Sequence, residues 1–159
     1  MKRFLSAFLF LSGILAQAQV FNRAPLEPSR FATFPIGAIR ADGWLQEQLY
    51  MQAEGLTGTL DEVYSEVVGP DNAWLGGEGD AWERGPYWLD GLLPLAYLLQ
   101  DRALIDKAQT WVDAILDSQL PDGYMGPSTD HPYVYGLQRG QTHDWWPKMA
   151  ALKIIRQYY

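Results

Sequence analysis

An all-helical fold is what this sequence predicts, and two patterns carry the prediction. Apolar residues recur at three- and four-residue spacing in separate segments, divided by the glycines, prolines and acids that begin and end helices. One segment, residues 86–99, is apolar almost all round, whereas the next, residues 102–119, is cleanly two-faced. A helix that is apolar on every side must be covered, and a two-faced helix is what covers it.

The elements follow in order. Lys2-Arg3, the apolar run from Phe4 to Leu15 and the small residues of Ala16-Gln17-Ala18 read as a secretory signal peptide over residues 1–18. That run is too short and too broken to span a bilayer. Residues 19–35 carry Pro25, Pro28 and Pro35 without periodicity and read as an extended lead-in. Asp42 is the expected cap of a first helix, in which Leu45, Leu49, Ala53 and Leu56 share a face and Gly55 and Gly58 mark the end. Residues 59–68 leave a short helix and an irregular loop both open, with Asp61, Glu62 and Glu66 as a solvated face. The second helix opens at Pro86, which suits a first turn, and carries Pro94 as an expected kink. In the third, Leu104, Ile105, Ala108, Trp111, Val112, Ile115 and Leu116 form the packing face. A turn at Pro121-Asp122-Gly123 and a loop follow, and a fourth helix begins near Asp144 or Trp145.

Composition narrows the chemistry. After removal of Lys2 and Arg3, ten basic residues face 19 acidic ones, a net charge of −9. Such a surface repels nucleic acid and anionic membranes and suits a neutral ligand. The chain has no cysteine, so it offers neither disulfides nor thiolate metal ligands, and its two histidines, His131 and His143, do not suggest a metal cluster. Seven tryptophans and nine tyrosines are the remaining signal: flat aromatic faces in excess of what a small core needs.

Those faces concentrate with acids in one segment, Trp74-Leu75-Gly76-Gly77-Glu78-Gly79-Asp80-Ala81-Trp82-Glu83-Arg84-Gly85-Pro86-Tyr87-Trp88-Leu89-Asp90-Gly91. Burying Glu78, Asp80, Glu83 and Arg84 unpaired would be costly, so this glycine-rich turn is expected at a functional surface. Paired carboxylates beside aromatic rings are what glycosidic chemistry uses. Asp80 and Glu83 are the catalytic candidates, one helical turn apart if the helix already covers them. Glu78, Trp82, Arg84, Tyr87 and Trp88 are candidate substrate contacts, as are His143, Asp144 and Trp145 at the start of the fourth helix. The structural alternatives are specific: Glu83 as a helix N-terminal acid paired with Arg84, Asp144 as an N-cap, and Trp88 as core. Trp111 is expected in the core, and Asp90, inside an apolar helix, is expected to need a hydrogen-bond partner.

Several motifs together resemble the N-terminal part of the β-L-arabinofuranosidase-like glycoside hydrolases, the group around glycoside hydrolase family 127. They are Pro35-Ile36-Gly37-Ala38-Ile39-Arg40 with Gly43-Trp44-Leu45, Trp74-Leu75-Gly76-Gly77, the run from Trp82 to Leu92, Gln119-Leu120-Pro121-Asp122-Gly123 and Asp144-Trp145-Trp146-Pro147-Lys148. The resemblance implies an (α/α)6 barrel of alternating inner and outer helices, with the active site at the end where chains enter the inner helices. Residues 36–159 would be its first part, about a third of it. Residues 154–159 show no cap, no glycine and no polar tail, which fits a chain expected to continue.

The implied function is exported, secreted or periplasmic, hydrolysis of a plant-type oligo- or polysaccharide, with β-L-arabinofuranose as a possible product. These residues would supply recognition more than the chemical step. The family's zinc, its cysteine ligands and nucleophile and its acid/base glutamate belong to a later half, so no cofactor is expected of the residues here. Three alternatives stand beside this reading. Another (α/α)6 sugar-active enzyme, a polysaccharide lyase or an unsaturated glucuronyl hydrolase, would want convergent cations, and only Arg84 and Arg139 are near. A carbohydrate-binding protein would keep the tryptophans and not need the acids. A truncated product would be inactive.

Overall fold

The structure, a computed structural model, describes residues 21–127 and 145–159. The expected signal peptide at 1–18, together with His131, Arg139, His143 and Asp144, lies outside the described residues. The chain divides into two units, Met1–Thr33 and Phe34–Tyr159. In the first, residues 21–33 are irregular and, Ala32 apart, exposed, with one turn closed by the Leu26 N–H on the Arg23 carbonyl at 3.0 Å. The second is helical and, among the described residues, contains no strand.

Helix α1 (Trp44–Glu54) follows Gly43, whose φ of 58° is open to glycine at no steric cost. The expected Asp42 cap is not formed. Its Oδ1 accepts the neighbouring Gly43 N–H at 2.8 Å, so the carboxylate is spent on a local turn and the first turn of α1 has no side-chain cap. Gly55 closes α1 with its N–H on the Met51 carbonyl, and α2 (Leu56–Val63) starts at once. Gly58 is not an end marker but a buried residue within α2, where a Cβ would collide with the Ala53 carbonyl. With α3 (Ser65–Val68), the segment that sequence leaves open between helix and loop is largely helical.

Helix α4 (Arg84–Leu99) begins two residues ahead of Pro86 and continues through Pro94. It is the covered helix that its sequence predicts: Trp88, Leu89, Leu92, Leu93, Leu95 and Ala96 are all buried. Each such large side chain contributes about 1.5–3 kcal/mol by leaving water. Gln100 turns the chain in a left-handed conformation, and Asp101 caps α5 (Arg102–Asp117) by accepting the Leu104 N–H at 3.1 Å. Helix α5 buries Leu104, Ala108, Trp111, Val112 and Ile115, packs on α4 and keeps Arg102, Asp106, Asp113 and Asp117 outward, while Lys107 donates to the Gly58 carbonyl and to Asp61 on α2. Trp111 meets Trp88 edge to face, ring centres 5.7 Å apart, and approaches α4 over Gly85, where a Cβ would lie 2.6 Å from its ring.

Helix α6 (Trp146–Tyr158) packs on α4, and three contacts fix its direction. Glu83 meets Trp146, Asp90 meets Lys153 and Gln157, and Tyr97 meets Tyr158. Positions 83, 90 and 97 form one stripe of α4, so α4 and α6 run parallel with their N-terminal ends together. Helix α1 runs the other way: Arg40, just before it, reaches Gln100 past the end of α4, while Thr57, just after it, accepts the Trp88 indole N–H. Helices α4 and α6 thus share one direction and α1 and α5 the other.

Candidate functional site

The segment before α4 is a tight, closed loop held from within, not the flexible turn that its glycines suggest. Its anchor is Asn72, fully buried. The Asn72 amide donates to the Val67 carbonyl at the end of α3, and its side-chain oxygen accepts the Trp74 N–H at 2.8 Å, opening a 3-10 turn over Ala73–Leu75. The Asn72 carbonyl accepts from Leu75 and Gly77, and the Asp71 carbonyl accepts the Gly79 N–H at 2.6 Å. Gly77 is glycine because of that closeness: a Cβ there would strike the Asp71 backbone. The neck closes with the Ala73 N–H on the Asp80 carbonyl and the Trp74 indole on the Trp82 carbonyl at 2.8 Å.

This loop hands its acids to different partners. The Asp80 side chain is 2% exposed and holds Arg84 through one oxygen, which accepts from Nη2 at 2.6 Å and from Nε at 3.2 Å. Arg84, 48% exposed, donates a further bond to the Tyr64 hydroxyl at 3.0 Å. The hydrogen bond that Arg84 donates to Asp80 raises the Arg84 pKa above its already high ordinary value, so the cation is permanent. Glu83 is the N-cap residue of α4, and its carboxylate accepts the Trp146 indole N–H. The expectation of Asp80 and Glu83 on one helical face is therefore corrected. The helix starts at Arg84, Asp80 lies in the loop under the guanidinium, and Arg84 pairs with Asp80 rather than with Glu83.

Around Glu83 the aromatic residues divide. Tyr87, one turn into α4 from Glu83, is exposed, and so are Trp145 and Trp146 at the head of α6. Trp145 stands edge to face with Tyr124, ring centres 5.5 Å apart. Trp82 is half-buried beside Glu83, and Glu78 is exposed with its N–H toward the Asp71 carboxylate. Trp88 is not part of this surface. Its ring is buried against Trp111 and its N–H is used by Thr57, so the core alternative holds. Asp90 is bonded by Lys153 at 2.6 Å and Gln157 at 3.1 Å, the partners its place in an apolar helix requires.

Sequence reasoning missed several residues here. Lys148, the third residue of α6, is 3% exposed, with its ammonium 4.3 Å from the Trp74 ring centre and 4.7 Å from that of Tyr124. A cation buried between two aromatic faces ties the head of α6 to the loop. Asn72 and Tyr64 were equally hidden, one as an ordinary loop amide and the other as an isolated tyrosine. A cavity of about 550 Å³ lies between the 3-10 turn, the end of α5 and residues 126–127, but it is bounded by Trp74, Gly77, Asp117 and Ser118 and does not include Asp80, Glu83 or Arg84. We place the candidate site at Glu83 instead, because Asp117 is the one charged residue lining this cavity, whereas Glu83 and Arg84 are adjacent and exposed rings flank them. Among the described residues no three histidines, aspartates or glutamates converge as a metal site.

The site is therefore an acid hydrogen-bonded by an indole where two parallel helices begin, with Arg84 fixed by Asp80 at the next position and Tyr87, Trp145 and Trp146 exposed at the heads of those helices. Comparison of the chain with protein-family models, curated proteins and solved structures finds no match.

Proposed function

We propose that the protein is an exported glycoside hydrolase of the β-L-arabinofuranosidase-like kind, and that the residues here hold a plant-type glycan at the common N-terminal end of α4 and α6. The observation that carries the reading is the Glu83–Trp146 hydrogen bond, with Tyr87 and Trp145 exposed beside it. A carboxylate accepts sugar hydroxyls, and exposed rings take the flat C–H faces of a pyranose or furanose. The parallel direction of α4 and α6, with α5 returning between them, is the order that inner, outer and inner helices of an (α/α)6 barrel would have.

Roles divide accordingly. Glu83 is the acid presented to the ligand. Asp80 is a positioning residue that orients Arg84, and Trp82 and Glu78 are candidate substrate contacts, as are His143 and Asp144, which lie outside the described residues. Since Asp80 already meets the charge of Arg84, the site suits a neutral sugar better than a uronic acid, which disfavours the lyase and glucuronyl hydrolase alternatives. Zinc, implied by the family resemblance, finds no donor set: the chain has no cysteine, and no described acids or histidines converge. The burial of Asp80 in an ion pair favours a second reading, carbohydrate binding without catalysis.

Sugar release from plant arabinans and arabinose-bearing glycopeptides tests the proposal, with binding followed by calorimetry. We expect binding that falls about tenfold or more in both Glu83→Gln and Trp146→Phe, with helicity unchanged. Product release that Glu83→Gln abolishes would support hydrolysis, and binding without product the second reading. No binding at millimolar oligosaccharide would overturn both.

A further inference from the structure

A buried cation, Lys148, joins the two sides of the candidate site. It is 3% exposed in the first turn of α6, with its ammonium over the rings of Trp74 and Tyr124, which are themselves buried. Burying an ammonium is costly, and a methionine would fill the same length without that cost. Apolar packing alone could tie a helix to a loop, so the charge points to another use.

The two rings lead to different members of the site. The Trp74 indole donates to the Trp82 carbonyl at 2.8 Å, and Trp82 is the residue before Glu83. Trp74 is held in that pose, since Gly126 packs so near that a Cβ there would strike its ring. Tyr124 is fixed by its hydroxyl on the Pro127 carbonyl and its N–H on the Asp122 carboxylate, both at 3.0 Å. Its ring stands edge to face with Trp145, which directly precedes the Trp146 that holds Glu83. The main chain repeats the link, the Lys148 N–H donating to the Trp145 carbonyl at 3.2 Å. One ammonium thus serves both the backbone beside the acid and the ring at the head of α6. Lys148, Trp74 and Tyr124 are interior, so their mutual contacts do not depend on what else covers α6.

We infer that Lys148 is a positioning residue for sugar binding: its charge sets Glu83 through Trp74 and the Trp82 carbonyl, and sets Trp145 through Tyr124. The effect belongs to the charge and not to the bulk. A cation over an indole face draws electron density from the ring, so the Trp74 N–H donates more strongly to the Trp82 carbonyl. The same ammonium attracts the Tyr124 face and holds that ring where it meets Trp145. Lys148 acts through the two rings and does not itself contact the ligand. The inference rests on the sugar site proposed at Glu83.

Lys148→Met and Lys148→Arg, with helicity followed by circular dichroism, test this by their indole N–H resonances and by calorimetric titration with an arabino-oligosaccharide. In Lys148→Met the Trp74 resonance moves upfield and those of Trp145 and Trp146 move with it, while that of Trp88, held by the Thr57 carbonyl, stays. Sugar binding weakens about tenfold or more. Lys148→Arg, which keeps the charge, recovers most of it. Should Lys148→Met lose helicity, Tyr124→Leu cuts the second arm alone: the Trp145 resonance moves, that of Trp74 stays, and binding again weakens. Indole resonances that stay in place in the folded neutral variant, binding equal to wild type, or an arginine variant as weak as the methionine one would overturn the role given to Lys148 and leave the site at Glu83 intact. A wild-type protein that binds no sugar would overturn that site, and the inference with it.

Discussion

Asn72 is the residue on which the loop before α4 depends, and its removal has a calculable cost. Asn72→Ala strips the donor from the Val67 carbonyl and the acceptor from the Trp74 N–H in a site without solvent. Each buried group left unpaired costs about 1–3 kcal/mol, so the loss is about 2–6 kcal/mol. Against a domain stability of about 5–15 kcal/mol that is a large fraction. With a urea slope of about 1.5 kcal/mol/M, the midpoint falls by roughly 1–4 M at unchanged slope. Asn72→Asp refines the test. Its carboxylate keeps an acceptor for Trp74 but at neutral pH cannot donate to Val67 and buries a charge, so it is at least as destabilised. On acidification the protonated carboxyl regains a donor, and part of the stability returns relative to wild type. A loss under about 0.5 kcal/mol for Asn72→Ala, or an aspartate variant that tracks wild type across pH, would refute the role given to this amide.

Three further outcomes follow from the same geometry. Gly85→Ala should destabilise by about 1–3 kcal/mol in thermal or chemical denaturation, because its Cβ meets the Trp111 ring, although alanine for glycine in a helix ordinarily gains up to about 1 kcal/mol. A double-mutant cycle on Glu83→Gln and Trp146→Phe should give a coupling of about 0.5–1.5 kcal/mol, and additive losses would mean that the indole bond does not join α4 to α6. Burial first, then the nearby Tyr158, raises the pKa of Tyr97 from its ordinary 10.0. The folded state thus holds the proton more tightly, and that contribution, full below pH 10, is lost as pH rises through the folded value. Tyr97→Phe should flatten the alkaline limb of stability measured above pH 10, and an unchanged limb would contradict the assignment.

What the sequence discloses here is what lies within one helical period. The apolar surround of residues 88–96 and the stripe from Leu104 to Ile115 needed only spacing to be read, and α4 and α5 follow. Asp42 deceived because an aspartate before a helix can bond its own neighbour instead of the first turn. Gly58 deceived because glycine serves close packing as well as helix ends. Asp80 and Arg84 stand four apart, yet which acid the guanidinium takes is settled by where the helix begins, one residue past Glu83. The Glu83–Trp146 bond joins positions 63 apart, and no local pattern encodes it. Lys148 between Trp74 and Tyr124 is of the same kind, since three distant elements must meet before a lysine is recognisable as buried.

The central claim is that sugar binds where Trp146 meets Glu83, and the Trp146 indole N–H resonance, assigned through Trp146→Phe, tests it most directly. On titration with an arabino-oligosaccharide, we predict that this resonance shifts saturably while the indole signals of Trp74 and Trp88, whose N–H groups are held by the Trp82 and Thr57 carbonyls, stay in place. A Trp146 signal that remains fixed while others move, or a spectrum that does not respond to sugar, would contradict the account.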